Sequence, residues 1–143
     1  MNSEYSISTD KEKLDMEIIH DFLSNSYWSK DIPIETVKRS IENSICFGVY
    51  HQNKQVGFAR VITDSATFGY LADVFIVEEH RGKGLSKMLM KFIMDYPQLQ
   101  GLRRFCLATR DAHSLYMQFG FTLLKNPDRL MEIVHADIYS RLR

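Results

Sequence analysis

The sequence predicts an α/β (α+β) fold, a mixed β-sheet with helices packed on its faces. Three observations lead there. Three strand-like runs follow one another closely between residues 45 and 77, as in an antiparallel meander. Helix-period patterns then alternate with strand-like runs from residue 85 to residue 134. Between the two stretches lies a basic glycine turn, Arg81-Gly82-Lys83-Gly84, joining the end of a strand to the start of a helix. A meander that runs into strand–helix–strand units demands a mixed sheet covered by helices.

The elements follow in order. Tyr5 to Ser8 alternates and reads as a first strand. Thr9-x-x-Glu12 has the form of a capping box and is expected to open an amphipathic helix carrying Leu14, Ile18, Ile19, Phe22 and Leu23 on one face. Pro33 suits the first turn of a second helix, with Ile34, Val37 and Ile41 at helical spacing. Strands from Ile45 to His51 and from Gln55 to Thr63 flank Gln52-Asn53-Lys54, a hairpin turn. Phe68 to Val77 reads as a central strand. The next helix buries Leu85, Met88, Leu89, Phe92 and Ile93 and stops before Pro97. A strand from Leu102 to Thr109 leads to a short helix from Ala112 to Phe119, closed by Gly120 in a left-handed cap. Phe121 to Leu124 and Leu130 to Val134 are expected as two last strands around the turn Asn126-Pro127-Asp128.

Composition narrows the function classes. A length of 143 residues, with no repeat, linker or low-complexity stretch, suits one domain over 1–143. Lys plus Arg and Asp plus Glu both number 18, so the net charge is zero and a nucleic-acid partner is not expected. The start Met1-Asn2-Ser3-Glu4 lacks a basic, then apolar, leader, and no apolar run approaches the roughly 18 residues of a membrane span. Cys46 and Cys106 lie in apolar runs and read as free thiols. These features point to the cytoplasm, without a membrane partner. The spacing of histidines and cysteines matches no metal site.

The chemistry concentrates between Val77 and Phe92. Phosphate oxygens need several N–H donors converging at short range, and a helix start offers unpaired N–H groups with a partial positive charge. Gly82 and Gly84 allow close backbone approach, and Arg81 and Lys83 add cations. The bland alternative is an ordinary strand-to-helix loop with two permissive glycines. The turn is too short for the Gly-x-x-x-x-Gly-Lys-Ser/Thr loop of ATPases. The dinucleotide fingerprint fails too, because Lys87 stands where a small residue belongs and no acidic residue ends a strand about twenty residues on.

The segment Val77-x-x-x-Arg81-Gly82-Lys83-Gly84-Leu85-Ser86 resembles the acyl-CoA-binding motif of the GNAT superfamily of N-acetyltransferases, Arg/Gln-x-x-Gly-x-Gly/Ala after a strand ending in Val. Ser86 stands where Gly or Ala is usual. Leu115-Tyr116-x-x-Phe119-Gly120-Phe121 is similar to that family's Leu-Tyr-x-x-x-Gly-Phe element, and it follows a strand and a short helix in the same order. Many members have Asn six residues before the Tyr and Ala three before it, where this chain has Arg110 and His113. The element order agrees over almost the whole chain. The resemblance implies a central, mixed, mostly antiparallel sheet of six to seven strands with about four helices.

The resemblance also implies acetyl-CoA (CoA) as cofactor and direct transfer of the acetyl group to a primary amine on a small molecule or peptide. The strand end Phe75, Ile76 and Val77 would pair with the pantetheine arm, and a backbone N–H near Val77 would polarise the thioester carbonyl. The turn Arg81, Gly82, Lys83, Gly84, Leu85 and Ser86 would hold the pyrophosphate. Tyr116 would protonate the departing thiolate, where the residues alone favour a tyrosine packed in the core. Asp73, a carboxylate in an apolar strand, is either the base that deprotonates the amine or one half of an ion pair with Arg60 or Arg110. Water is a further candidate for the base. The acceptor pocket is expected from Trp28 and Tyr70, with Trp28 either a lid or a core plug. A homodimer is compatible with the resemblance. A second function class also remains: a non-catalytic acyl-CoA-binding or sensing module of the same fold.

Overall fold

The structure is a computed structural model that describes residues 4–141. Strands β1 (Tyr5–Ser8), β2 (Ile45–His51), β3 (Lys54–Thr63), β4 (Phe68–Ile76) and β5 (Arg104–Leu107) lie side by side in chain order. The first four pair antiparallel and β5 pairs parallel to β4. The parallel step follows from the long return between these strands, which passes through a helix. The helices are α1 (Met16–Ser24), α2 (Ile34–Glu42), α3 (Leu85–Met94), α4 (His113–Met117) and α5 (Ile138–Arg141). No helix among the described residues is long and apolar enough to cross a membrane.

Alternation along the strands feeds two cores. Cys46 and Phe58 join Ile19, Leu23, Val37 and Ile41 under α1 and α2. Phe47, Val49, Val56, Ala59 and Val61 join Leu85, Leu89, Met90 and Ile93 under α3. Neighbours such as Cys46 and Phe47 thus go to opposite faces, as a pleated strand requires. The hairpin after His51 turns through Gln52, at φ 57°, and Asn53.

Two expectations are corrected. Thr9 does not open the first helix. Asp10 caps a short 3-10 turn, and Asp15 caps α1, its Oδ1 accepting from the N–H groups of Glu17 (3.1 Å) and Ile18 (3.3 Å). Leu14 is extended at ψ 136°, so the chain cannot run helically from Thr9 into α1. The sheet has five strands, not six to seven, because 121–124 and 130–134 form none. Gly120, at φ 96°, turns the chain away after α4, and Pro127 opens a 3-10 turn. Met131 and Ile133 consequently stand 96% and 88% exposed. Apolar alternation marks a strand only where another strand lies alongside to take its hydrogen bonds.

Strand β4 departs from regularity at one point that matters for the site. Phe58 pairs with Phe75 and Arg60 with Ala72, so β4 carries one extra residue against β3. Asp73 sits in this bulge at φ 57°. The bulge explains how Leu71 and Ile76, five residues apart, both reach the α3 core.

Candidate functional site

Beyond Leu71, β4 loses its partner on one side. It pairs with β5 only from Phe68 to Leu71, and residues 72–76 present an open edge. The two strands diverge there into a cleft of about 900 Å³. Its walls include Phe22, Tyr27, Trp28, Asp73, Arg81, Ser86, Arg110 and Tyr116.

The backbone register decides which groups the edge offers. The Val77 N–H donates to Val56 O on β3 at 2.8 Å. The Phe75 carbonyl also faces β3, beside Gly57. In a strand these directions alternate, so Val74 and Ile76 point their polar groups into the cleft. Ile76 O accordingly accepts from Arg81 Nε at 2.9 Å. The expectation for the strand end therefore narrows: Phe75 and Val77 are turned to β3, and only Ile76 of the three faces the open edge.

The edge leads directly to the glycine turn. Gly82 and Gly84 have φ 79° and 76°, with open space around both. That conformation is strained for any residue with a Cβ. Gly84 is the N-cap of α3 and no side chain caps the helix. The first helical bond runs from Met88 N–H to Gly84 O at 3.1 Å, so the N–H groups of 85–87 precede it. The Leu85 side chain is buried in the core, which leaves only its N–H for the turn. Lys83 is exposed, and Ser86 lines the cleft. These donors, with their partial positive charge, fit an anion such as a pyrophosphate.

The opposite end of the cleft is assembled from distant residues. Asp73 is buried and both its oxygens are engaged. Oδ2 accepts from Arg60 Nε at 2.7 Å and Oδ1 accepts from Trp28 Nε1 at 2.9 Å. Arg60 also donates from Nη1 to Ser44 Oγ at 3.1 Å. Of the two ion pairs expected for Asp73, the structure forms the one with Arg60. Trp28 is 41% exposed, so it covers the cleft rather than plugging the core. The ring of its neighbour Tyr27 meets it edge-on at 5.1 Å. Phe22 stacks on Phe75 at 4.0 Å and forms the floor. Tyr70 lines the same cleft, and burial raises its pKa above the usual phenol value.

Tyr116 is buried to 9% exposure, with its ring near Phe121. Burial is the main cause that raises its pKa, with Tyr27 and Asp111 adding to it. The hydroxyl therefore stays protonated well above neutrality. The aromatic turn Tyr27-Trp28-Ser29-Lys30, readable in the sequence as a lid, does bring Tyr27 and Trp28 to the cleft, and Arg60 is there as the partner expected for Asp73. Phe22, read as a core-facing helix residue, is the cleft residue that sequence spacing missed.

A model of the acetyltransferase (GNAT) family matches residues 15–121. The chain belongs to the GNAT family. This GNAT chain is 52% identical to xcc2953 of Xanthomonas campestris pv. campestris, an acetyltransferase assigned to the same family by inference. The two structures superpose with a TM-score of 0.93, covering 95% of this chain and 96% of the other. FG08082 of Gibberella zeae, an inferred acetyltransferase, is 34% identical over an alignment of 136 positions that covers 79% of this chain and 76% of the relative. N-acetylglutamate synthase of Neisseria gonorrhoeae, solved with coenzyme A and L-arginine, shares the fold at 17% identity and a TM-score of 0.71, over 92% of this chain and 30% of the other. GNAT membership supports an N-acetyltransferase activity in general terms.

Proposed function

We propose that the protein is an acetyl-CoA-dependent N-acetyltransferase acting directly on a primary amine of a small molecule or peptide. The observation that carries this reading is the open β4 edge running into the uncapped start of α3, with Tyr116 on the same cleft. An extended arm bearing amides can pair with such an edge, and its pyrophosphate can end at such a helix start. Acetyl-CoA supplies the acetyl group as an activated thioester.

The chain's own groups take the following roles. The outward N–H groups of Val74 and Ile76 hold the arm and polarise the thioester carbonyl, in place of the N–H at Val77 that β3 already uses. The turn 81–86 with the N–H groups of 85–87 neutralises the pyrophosphate. The amine nitrogen forms the new C–N bond as the C–S bond breaks, and Tyr116 gives its hydroxyl proton to the leaving thiolate. Its raised pKa keeps that proton available at neutral pH. Asp73 acts as a positioning residue, because Arg60 and Trp28 occupy both of its oxygens. Water in the cleft takes the proton that the substrate ammonium loses before it attacks, and the second proton, lost from the acylated nitrogen, restores the Tyr116 hydroxyl.

The test mixes the protein with acetyl-CoA and a panel of small amines, peptides and aminoglycosides, and follows thiol release and N-acetylated product. Turnover on any of them supports the reading. Stabilisation by CoA without any turnover would replace it with the binding-module alternative, and no thermal shift with millimolar CoA would overturn both.

A further inference from the structure

The acceptor end of the cleft presents an exposed cation that pairs with no carboxylate of the described residues. Three arginines line the cleft. Asp73 neutralises Arg60, and Arg81 is tied to Ile76 O at the cofactor end. Among the described residues, no carboxylate lies within ion-pair distance of Arg110. Its contact is the Tyr27 ring, whose centroid is 3.8 Å from the guanidinium carbon.

That contact spans the cleft mouth. Tyr27 comes from the turn between α1 and α2, and Arg110 from the loop between β5 and α4. Arg110 is exposed, so stacking on the ring orients the guanidinium plane and leaves its N–H donors facing solvent, open to a ligand. A fork of fixed donors on a cation fits a carboxylate or a phosphate. Asp111 lines the same cleft, and both Tyr27 and Asp111 act electrostatically on Tyr116, so Arg110 on the Tyr27 ring stands near the candidate acid. A substrate with its amine at Tyr116 and an anionic group a short reach away would set that anion against Arg110.

We propose that Arg110, held by the Tyr27 ring, recognises an anionic group, carboxylate or phosphate, on the amine acceptor. This rests on the transferase reading of the same cleft. It makes Arg110 a specificity-determining residue that selects acidic amines over neutral and polycationic ones.

Matched acceptors test it. Amino acids are compared with their carboxamides, and phosphoethanolamine with ethanolamine, on the wild type, Arg110→Gln and Arg110→Lys. A charge-assisted hydrogen bond of ordinary strength predicts about a tenfold or greater kcat/KM preference for the anionic member of one pair. The pair that shows it distinguishes carboxylate from phosphate. Arg110→Gln should remove the preference, Arg110→Lys should keep part of it, and the KM for acetyl-CoA should hold. Equal or better use of the neutral members, or a preference untouched by Arg110→Gln, overturns the inference while any turnover leaves the transferase reading standing. A binding arm separates the two further. N-acetylglycine and N-acetylglycinamide are titrated into CoA-saturated protein, alongside N-acetylphosphoethanolamine and N-acetylethanolamine. An anion preference lost in Arg110→Gln, without turnover on any amine, would keep the site and sink the transferase. No preference in either arm sinks the site.

Discussion

The two ends of the cleft are built in different ways. The donor end comes from one continuous stretch, 72–87, in which the open strand edge, the glycine turn and the first turn of α3 follow one another. The acceptor end joins Tyr27 and Trp28, Arg60, Asp73 and Arg110 from separate elements, and the bond from Trp28 to Asp73 links residues 45 positions apart. The donor end relies on backbone N–H groups and the acceptor end on side chains. Backbone donors accept one kind of ligand whatever the neighbouring side chains. Side chains on loops can be exchanged without disturbing the turn, so acceptor choice can vary on a constant donor site.

The largest expected effect falls where the two ends meet. Tyr116→Phe removes the proton donor and should lower kcat by about a hundredfold or more, with CoA affinity unchanged by calorimetry. An unchanged rate would take Tyr116 out of the chemistry. At the acceptor end, Asp73→Leu strands the Arg60 charge and the Trp28 N–H. Breaking a buried pair in this way should cost about 3 kcal/mol of stability in denaturant unfolding. Asp73→Asn preserves the shape and an acceptor for Trp28. It should leave kcat within about tenfold of the wild type, since a general base would contribute a hundredfold or more. A larger loss in a folded Asp73→Asn protein would restore Asp73 as the base.

A change at the donor end should show the reverse pattern. Gly84→Ala meets no neighbouring atom, so its cost is the left-handed backbone alone. That strain, about 1–2 kcal/mol, should weaken CoA binding roughly tenfold and leave the preference among amines intact. The smallest effect belongs to the scaffold, away from both ends. The Tyr50 hydroxyl is buried without a hydrogen-bond partner among the described residues, and Tyr50→Phe should hold or slightly raise the melting temperature. Burial pushes Tyr50 up to about 12 from 10, and Cys46 up to about 11 from 9. Both folded values lie above the unfolded ones, so their stabilising contribution is complete below pH 9 and is lost as pH rises from 9 to 12. Tyr50→Phe should flatten the upper part of that decline in a series of melting curves.

Legibility followed sequence distance. The turn 81–86 and Tyr116 could be singled out as candidates because each belongs to a short run of adjacent residues. Asp73 stood out as a carboxylate in an apolar run, but its choice of Arg60 over Arg110 depended on the bulge, which rotates it toward the α1–α2 side. The Val77 N–H bonds to Val56 O, leaving Val74 and Ile76 on the open edge, for a related reason: register against β3 decides which way each peptide faces. The last two strands failed because an apolar alternation does not say whether a neighbouring strand runs alongside.

The sequence by itself determined the mixed sheet with helices on its faces, the glycine turn that opens α3 and the choice of Tyr116 as candidate acid. Period and glycine conformation are local properties, and local properties are written in adjacent residues. Only the tertiary structure decided which peptides of β4 stay unpaired, that both oxygens of Asp73 are taken by Arg60 and Trp28, and that Arg110 faces Tyr27 with no carboxylate of the described residues in ion-pair range. Those facts depend on strand register and on loops meeting across a cleft, where contacts between distant residues outweigh any local preference.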